Sequence, residues 1–166
     1  MRHITLSLII LFSFSIFCFS QEKSISDLRK QAAKLQKDGN WKDAFQVYES
    51  LLLERADTGQ GGADDLKNAW VCLSRMRQSK LVDDLLEKVV EKYPEDWRIL
   101  VSAARVYNQI PEWGMMIDDE FIRESRSGGG KRVNTRERDR VRSLSLMEQA
   151  LNVSVDEEDK KALGSF

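Results

Sequence analysis

The sequence predicts an all-α fold, a short solenoid of antiparallel helix pairs. The chain of 166 residues contains only two prolines and is rich in Leu, Ala, Glu, Lys and Arg, a composition that favours helices. Apolar residues recur at spacings of three and four along much of the chain, as on one face of a helix. The helical segments themselves recur at a period of about 34 residues. About three copies of a helix-turn-helix unit therefore cover residues 25–151.

The beginning of the chain has the pattern of an export signal. A short basic start precedes an apolar run over residues 4–19, and the sequence then becomes polar at once. The pattern predicts a signal peptide over residues 1–20 and an exported, periplasmic or secreted protein that leaves the membrane after cleavage. An uncleaved anchor is less favoured because a spanning helix needs about 20 apolar residues. Lipidation at Cys18 is disfavoured by the bulky Phe17 before it.

Composition excludes several kinds of chemistry. The only histidine, His3, lies in the predicted signal, so the mature chain cannot use Ser-His-Asp or Cys-His catalysis and lacks the commonest metal ligand. Cys72 is the one cysteine after the signal, and its apolar neighbours predict a buried, inert thiol rather than a reactive one. The net charge is −1, whereas nucleic-acid-binding proteins usually carry a net positive charge, so the composition does not indicate nucleic-acid binding. We expect no cofactor, no metal and no nucleic-acid partner.

The first copy, from about Ile25 to Thr58, is the clearest. Gly39 lies in its turn and supplies the left-handed conformation that commonly ends a helix. The inward positions of its two helices are Leu28, Ala32 and Leu35, then Trp41, Ala44, Tyr48 and Leu51. The stretch DGNWKDAFQVYESLL resembles a tetratricopeptide helix-turn-helix.

A glycine-rich stretch, Thr58–Gly62, predicts a loop before the second copy, which extends from about Ala63 to Asp96. This copy keeps the spacing but exchanges large and small residues, and Pro94 closes it. Its inward positions are Leu66, Ala69, Trp70 and Leu73, then Val82, Leu86 and Val89.

The third copy is interrupted between its two helices. Its first helix carries Trp97, Leu100, Ala103, Ala104 and Tyr107, and the pattern breaks at Pro111, since proline disrupts a helix interior. Asn134 with Glu137 three residues later predicts the start of the second helix. The inward positions of that helix are Ser143, Met147, Ala150 and Leu151. The sequence therefore predicts an inserted loop at about 108–134.

Residues 154–166 have the pattern of a further repeat. Ser154 with Glu157 is another helix-start signature, and Leu163-Gly164 stands where the large and small residues of a first helix belong. We expect the sequence to be truncated here or followed by another domain; a natural C-terminal tail is the alternative.

The inserted segment is unusually rich in glycine and arginine. It lacks a phosphate-binding loop, because Ser125 and Arg132 occupy the places of the required glycine and hydroxyl residue around Gly130-Lys131. Its basic residues predict either an anionic ligand or acidic partner or, as the favoured interpretation, a solvated helix face with local ion pairs. These residues are Lys131, Arg132, Arg136, Arg138, Arg140 and Arg142. Candidate contacts of the insert are Trp113, Phe121, Lys131 and Arg132.

The first helices of such an array line its concave side, and their outward positions are largely basic. The candidate groove residues are Arg29, Lys37, Lys67, Asn68, Arg75, Arg98 and Arg105. They predict a groove that binds a peptide or an acidic partner, although an ordinary solvated face remains the favoured alternative. Ala33 and Ser102 stand where tetratricopeptide carboxylate clamps have Asn and a basic residue, which puts such a clamp in doubt.

The order of segments resembles a more particular family. LRKQAAKLQKDGNWKDAFQVYESLL is followed by DWRILVSAARVY and then by GGGKRVNTRERDRVRSLSLMEQAL. This arrangement resembles the N-terminal helical-repeat region of large exported bacterial proteins with alpha-2-macroglobulin domains. The resemblance implies a leading scaffold of a protease-trapping protein, with downstream domains of the same chain as possible partners.

We consider three hypotheses about the function of this protein. The leading hypothesis is a non-catalytic interaction scaffold, and the second is a self-contained secreted adaptor. An enzyme is disfavoured because adjacent acids such as Asp118-Asp119 and Glu157-Glu158 would point about 100° apart on a helix. They would therefore not converge on one substrate atom.

Overall fold

The computed structural model describes residues 23–55, 58–124 and 130–154. In these residues the chain is mostly helical, with six α-helices and three short strands. The helices are α1 (Ile25–Lys37), α2 (Trp41–Leu53), α3 (Gly59–Arg75), α4 (Val82–Lys92), α5 (Trp97–Tyr107) and α6 (Arg136–Val153). The predicted signal peptide (1–20), and the further repeat (154–166) after Ser154, lie outside the described residues.

The first helix pair follows the prediction closely. The Ser24 hydroxyl accepts a hydrogen bond from the Asp27 amide and caps the start of α1. Gly39 has a φ of +79° and turns the chain between α1 and α2. Ala44 and Tyr48 are buried against the neighbouring helices, as their spacing predicts.

A continuous apolar core extends from α1 to α6. Nearly all predicted inward positions lie in it or are partly buried against it. Leu151 is the exception, because its side chain points away from α5 and is 56% exposed. The prediction that Leu151 faces inward is therefore wrong, although Ser143 and Ala150 on the same helix are buried.

Alternate helices run parallel to one another. Contacts between α1 and α3 join residues 36 apart, both at Arg29–Asp65 and at Gln36–Cys72. Contacts between α4 and α6 join residues 55 apart at two successive levels, Asp83–Arg138 and Glu87–Arg142, and Pro94, just after α4, continues the series with Gln149. A constant separation at successive levels requires the two helices to run in the same direction, so the connecting helix runs back between them.

The segment between α5 and α6 contains a small antiparallel sheet instead of the predicted loop. Its strands are β1 (Trp113–Ile117), β2 (Glu120–Ile122) and β3 (Lys131–Asn134), in the order β2-β1-β3. Met115 of β1 lies opposite Ile122 on one side and Arg132 on the other. Asp118 and Asp119 both have positive φ, as a two-residue hairpin requires. The all-α description therefore holds only approximately.

Two predicted boundaries are also corrected. Helix α3 begins at Gly59 and not after the glycine-rich stretch, since Thr58 occupies the position before its first turn. Helix α6 begins at Arg136 after Thr135, and the Asn134 side chain accepts a hydrogen bond from the Arg136 amide. Glu137 pairs with a side chain one turn later in α6 and does not cap back onto Asn134.

Candidate functional site

A cleft of about 370 Å³ lies between α3 and α5. Three of the predicted groove residues, Lys67, Arg98 and Arg105, line it together. The other lining residues are Gln60, Ala63, Asp64, Trp97, Val101, Ser102, Val106 and Gln109. The lining thus contains three cationic side chains and one carboxylate, beside the apolar side chains of Val101 and Val106.

Contacts between the two walls fix the width of this cleft. The Ser102 hydroxyl donates a hydrogen bond to the Ala63 carbonyl oxygen at 2.8 Å, which ties the middle of α5 to α3. At the beginning of both helices, the Gly59 amide donates to the Asp96 carboxylate. The same carboxylate accepts from the Arg98 and Ile99 amides and caps α5.

The cationic side chains of α5 are placed in different ways. The Arg98 guanidinium lies 4.3 Å from the centroid of the Trp97 ring, which restricts its position. Arg105 is exposed two turns further along α5. Lys67 is exposed on the α3 wall, opposite α5.

The remaining groove candidates do not line this cleft. Arg29 points across to α3 and pairs with the buried Asp65 carboxylate, with Nη2 2.7 Å from Oδ2. Gly61 leaves space for the Arg29 side chain, because a Cβ at position 61 would lie within 3.0 Å of the Arg29 guanidinium. Asp65 was missed by the sequence analysis, although an acid among the inward positions of α3 was a usable signal.

The other three candidates lie elsewhere on the first helices. Arg75 lies over the Trp41 ring at 5.7 Å and so contacts α2. Lys37 is exposed at the end of α1, and Asn68 is half-buried on α3. The helices α1, α3 and α5 therefore provide one basic cleft and not a continuous basic row.

On the inserted sheet, the four predicted contact residues are divided between the two faces. Trp113 is 48% exposed, and the Arg132 guanidinium lies 4.3 Å from the centroid of its ring. Lys131 and Phe121 both lie opposite Met116, so they share the other face. Lys131 is exposed, whereas Phe121 is half-buried and its ring contacts the guanidinium groups of Arg123 and Arg138.

The most buried charge of the described chain is Arg123, which the sequence analysis did not single out. Its guanidinium has no exposed surface and donates to Asp83 on α4 and to Asp139 on α6, with distances of 2.8 to 3.0 Å. It also donates to the Thr135 hydroxyl and to the Pro111 carbonyl. These contacts clamp the sheet between two helices.

The protonation of this cluster follows from its hydrogen bonds. Burial raises the pKa of the Asp139 carboxyl, but hydrogen bonds from Arg123, Thr135 and Arg138 outweigh it and hold that pKa below its usual value. Burial likewise lowers the pKa of Arg123, yet the carboxylates of Asp83 and Asp139 leave it well above its ordinary range. Arg123 and Asp139 are therefore both ionised near neutral pH.

Most of the basic cluster of the insert is occupied by ion pairs. Only Arg140, paired with Glu137 at 3.0 Å, makes the predicted pair within one helix face. Arg138 and Arg142 reach α4, where they pair with Asp83 and Glu87 at 2.8 and 2.5 Å. The local-pair interpretation is thus too narrow, because these side chains join two helices.

Glu87 also accepts a hydrogen bond from Tyr107 at 2.5 Å. Burial raises the pKa of Glu87, but the hydrogen bonds from Arg142 and Tyr107 outweigh it and lower that pKa. Burial, followed by the Glu87 carboxylate, raises the pKa of Tyr107 far above its ordinary value. The three side chains hold α4, α5 and α6 together beside the Arg123 clamp.

Burial raises the pKa of the Cys72 thiol, and the hydrogen bond from Gln36 only partly offsets this, so the thiol stays protonated.

Residues 23–55, 58–124 and 130–154 contain no group of three His, Cys, Asp or Glu side chains arranged to hold a metal ion. Over the same ranges, no helix is both long and apolar enough to cross a membrane. No protein-family model matches the chain, and no curated protein or solved structure matches it.

Proposed function

We propose that this protein is a non-catalytic interaction scaffold that binds a peptide segment of an acidic partner in the cleft between α3 and α5. The observation that carries the proposal is the convergence of Lys67, Arg98 and Arg105 on one cleft whose lining has a single carboxylate. Apolar side chains beside these cations can contact the peptide between its acidic residues. Charged groups on both walls favour an anionic partner over a neutral or basic one.

We further propose that the helices form a tetratricopeptide-like solenoid. The parallel contacts of α1 with α3, and of α4 with α6, support this arrangement. In such an array the α3–α5 cleft lies on the concave side, where the first helices of successive repeats are neighbours.

Binding of a fluorescent acidic peptide to the purified protein tests the proposed function. Lys67→Glu replaces a cleft cation with an anion, and we expect it to weaken binding at least about tenfold, since like charges across an interface repel. Lys37→Glu is the matched control, because it changes the net charge equally at an exposed position outside the cleft. Equal weakening by both variants would show an unspecific charge effect and contradict the cleft.

A second candidate function is the leading region of a larger exported protein of the alpha-2-macroglobulin type. It is favoured by the outer face of α6, where three apolar side chains are exposed in the described structure. These are Val141, Leu144 and Leu151, at 58, 55 and 56%. We propose that a downstream domain of the larger protein covers this face.

The intact mass of the native product tests this candidate. A mass well above that of residues 21–166 supports a leading scaffold, and loss of residues 1–20 supports export. A product ending at Phe166 supports the self-contained adaptor instead. In the longer product, Leu144→Glu should destabilise strongly if α6 is covered, whereas Leu81→Glu, at a side chain 41% exposed, serves as the control.

A further inference from the structure

The inserted sheet has an open edge at β3. In the part of the chain that the structure describes, β3 pairs with β1 on one side and with no strand on the other. Three of its four residues, Lys131, Arg132 and Asn134, are exposed. An edge strand presents a row of unpaired backbone N–H and C=O groups, to which another extended segment can be added.

One hydrogen bond fixes the phase of the ladder between β1 and β3. The Thr135 amide donates to the Glu112 carbonyl at 2.7 Å. These two residues lie opposite each other, because they continue the pairing of Trp113 with Asn134 by one position. In an antiparallel ladder, opposite pairs are alternately hydrogen-bonded and not hydrogen-bonded. The Trp113–Asn134 pair is therefore of the second kind.

The outward groups of β3 follow from this alternation. Val133 and Lys131 belong to the hydrogen-bonded pairs, so their backbone groups point to β1. The N–H and C=O groups of Arg132 and Asn134 therefore point away from β1, to the open edge. The edge thus presents two amides and two carbonyls, in the pattern that an added antiparallel strand would use.

The charge of β3 restricts the segment that can be added. Lys131 and Arg132 are cationic, and the strand contains no acidic residue. The contact of Arg132 with the Trp113 ring leaves the charge of the guanidinium in place. Charged side chains on an edge disfavour an added strand that is neutral or basic. Acidic side chains directly opposite them stabilise the pairing.

A second copy of this chain matches the edge less well. Antiparallel pairing of two β3 strands about a two-fold axis would place Arg132 of each copy opposite Asn134 of the other. The two Arg132 side chains would then be diagonal neighbours on one face, about 7–8 Å apart, and would repel each other. The charges therefore favour a different chain that carries acidic residues.

We propose that the open edge of β3 binds an extended segment of an acidic protein by β-strand addition, with acidic side chains opposite Lys131 and Arg132. The segment runs antiparallel to β3, since antiparallel pairing is slightly more stable per residue than parallel pairing. An apolar side chain of the segment lies opposite the half-buried Val133. Thr-Val-Glu-Glu is a sequence of this type, with its threonine opposite Asn134. The inference does not depend on the proposed function of the α3–α5 cleft, because the two sites share no residue.

Two N-methylated peptides test the strand pairing. Both carry a fluorophore and contain Thr-Val-Glu-Glu, and they differ only in which glutamate has a methyl group on its backbone nitrogen. The N–H of the first glutamate, opposite Arg132, would bond to β3, whereas the N–H of the second, opposite Lys131, would point away. Fluorescence anisotropy at low ionic strength compares each Kd with that of the unmethylated peptide. We expect the first methyl group to weaken binding about tenfold and the second less than about twofold.

Two variants at one position assign the binding to β3. Arg132→Pro and Arg132→Gln remove the same charge, but only proline removes the outward amide, and both leave the hydrogen bonds to β1 in place. Arg132→Gln should weaken the unmethylated peptide about threefold, as for one exposed ion pair, and preserve the difference between the methylated peptides. Arg132→Pro should abolish that difference. Circular dichroism checks the folding of both variants, and the methylated peptides test the inference on the unaltered protein if Arg132→Pro does not fold.

Several results would overturn the inference. Equal effects of the two methyl groups, or no binding of the unmethylated peptide, would exclude strand addition. A difference that survives in Arg132→Pro, or that is lost in Lys67→Glu, would place the peptide elsewhere, in the second case in the cleft. A dimer of the free protein that Arg132→Pro dissociates would show that a second copy occupies the edge.

Discussion

Replacing Arg123 with methionine is the sharpest test of how the inserted sheet is held. Methionine keeps the length and much of the volume of the side chain but removes the guanidinium, so packing changes little. The Asp139 carboxylate, whose side chain is 5% exposed, would then lose its main partner. Asp83, whose side chain is 27% exposed, would lose one of its two arginine partners and keep Arg138.

The expected cost follows from the remaining contacts. Removing one partner of a buried ion pair typically costs about 3–5 kcal/mol, because a charge is left uncompensated. Arg138 still lies 2.8 Å from both carboxylates and can partly compensate. We therefore expect Arg123→Met to lower the free energy of unfolding by about 3 kcal/mol, the lower end of that range.

Arg138→Met is the matched control, since it removes a guanidinium from the same carboxylates. Its side chain is 48% exposed, so its pairs are largely solvated and the expected loss is about 1 kcal/mol or less. Urea unfolding followed by circular dichroism measures both variants. An Arg123→Met variant as stable as Arg138→Met would refute the reasoning, because it would mean that the buried guanidinium contributes no more than the exposed one.

Three further predictions use the same measurement. Gly114→Ala should destabilise by about 1–3 kcal/mol, because a Cβ there would lie within 3.0 Å of an aromatic ring and a carbonyl oxygen of β2. The folded protein lowers the pKa of Asp139 and Glu87 below their ordinary values of 3.8 and 4.5, which stabilises the fold at any pH above those ordinary values. The urea midpoint should therefore stay constant from pH 7 to 5 and fall in more acidic solution, where the two carboxylates become protonated. Arg29→Met should cost about 2 kcal/mol and more than Asp65→Asn, since the first removes a guanidinium that donates to a buried carboxylate, whereas the second replaces that carboxylate with a neutral amide.

Much of the helical structure could be predicted because the signal is local and repeated. Ala32, Ala44 and Tyr48 stand at helical spacings that recur in later copies, and each is buried. Gly39 predicts a turn, because the turn requires a positive φ that other residues adopt poorly. Boundaries were less certain, since α3 begins within a glycine-rich stretch that also fits a loop.

The sheet could not be predicted for two physical reasons. Its strands have only three to five residues, too few for alternation to stand out. The pairing of β1 with β3 also depends on contacts that are distant in sequence. Arg123 gave no local signal at all, because arginine is rarely buried unless it is paired, and its partners come from α4 and α6.

The candidate cleft was predicted in part. Three residues at outward spacings on α3 and α5, Lys67, Arg98 and Arg105, line one cleft. The same spacing included Arg29 and Arg75, which contact Asp65 and Trp41 instead. Spacing places a residue on a face, but a long side chain can cross to a neighbouring helix, and only the arrangement of the helices decides which one it contacts.

The positions of the charged side chains explain how a chain with a net charge of −1 can have a cleft whose lining is mostly basic. The most basic stretch of the sequence lies at the start of α6, yet Arg138 and Arg142 are paired with acids of α4. The three cations of the α3–α5 cleft face a lining with one carboxylate, although they are scattered in sequence. Screening limits the field of exposed charges to about 8–10 Å at physiological salt. We therefore expect the electrostatic field at the cleft to follow the charged side chains that line it and not the net charge of the chain.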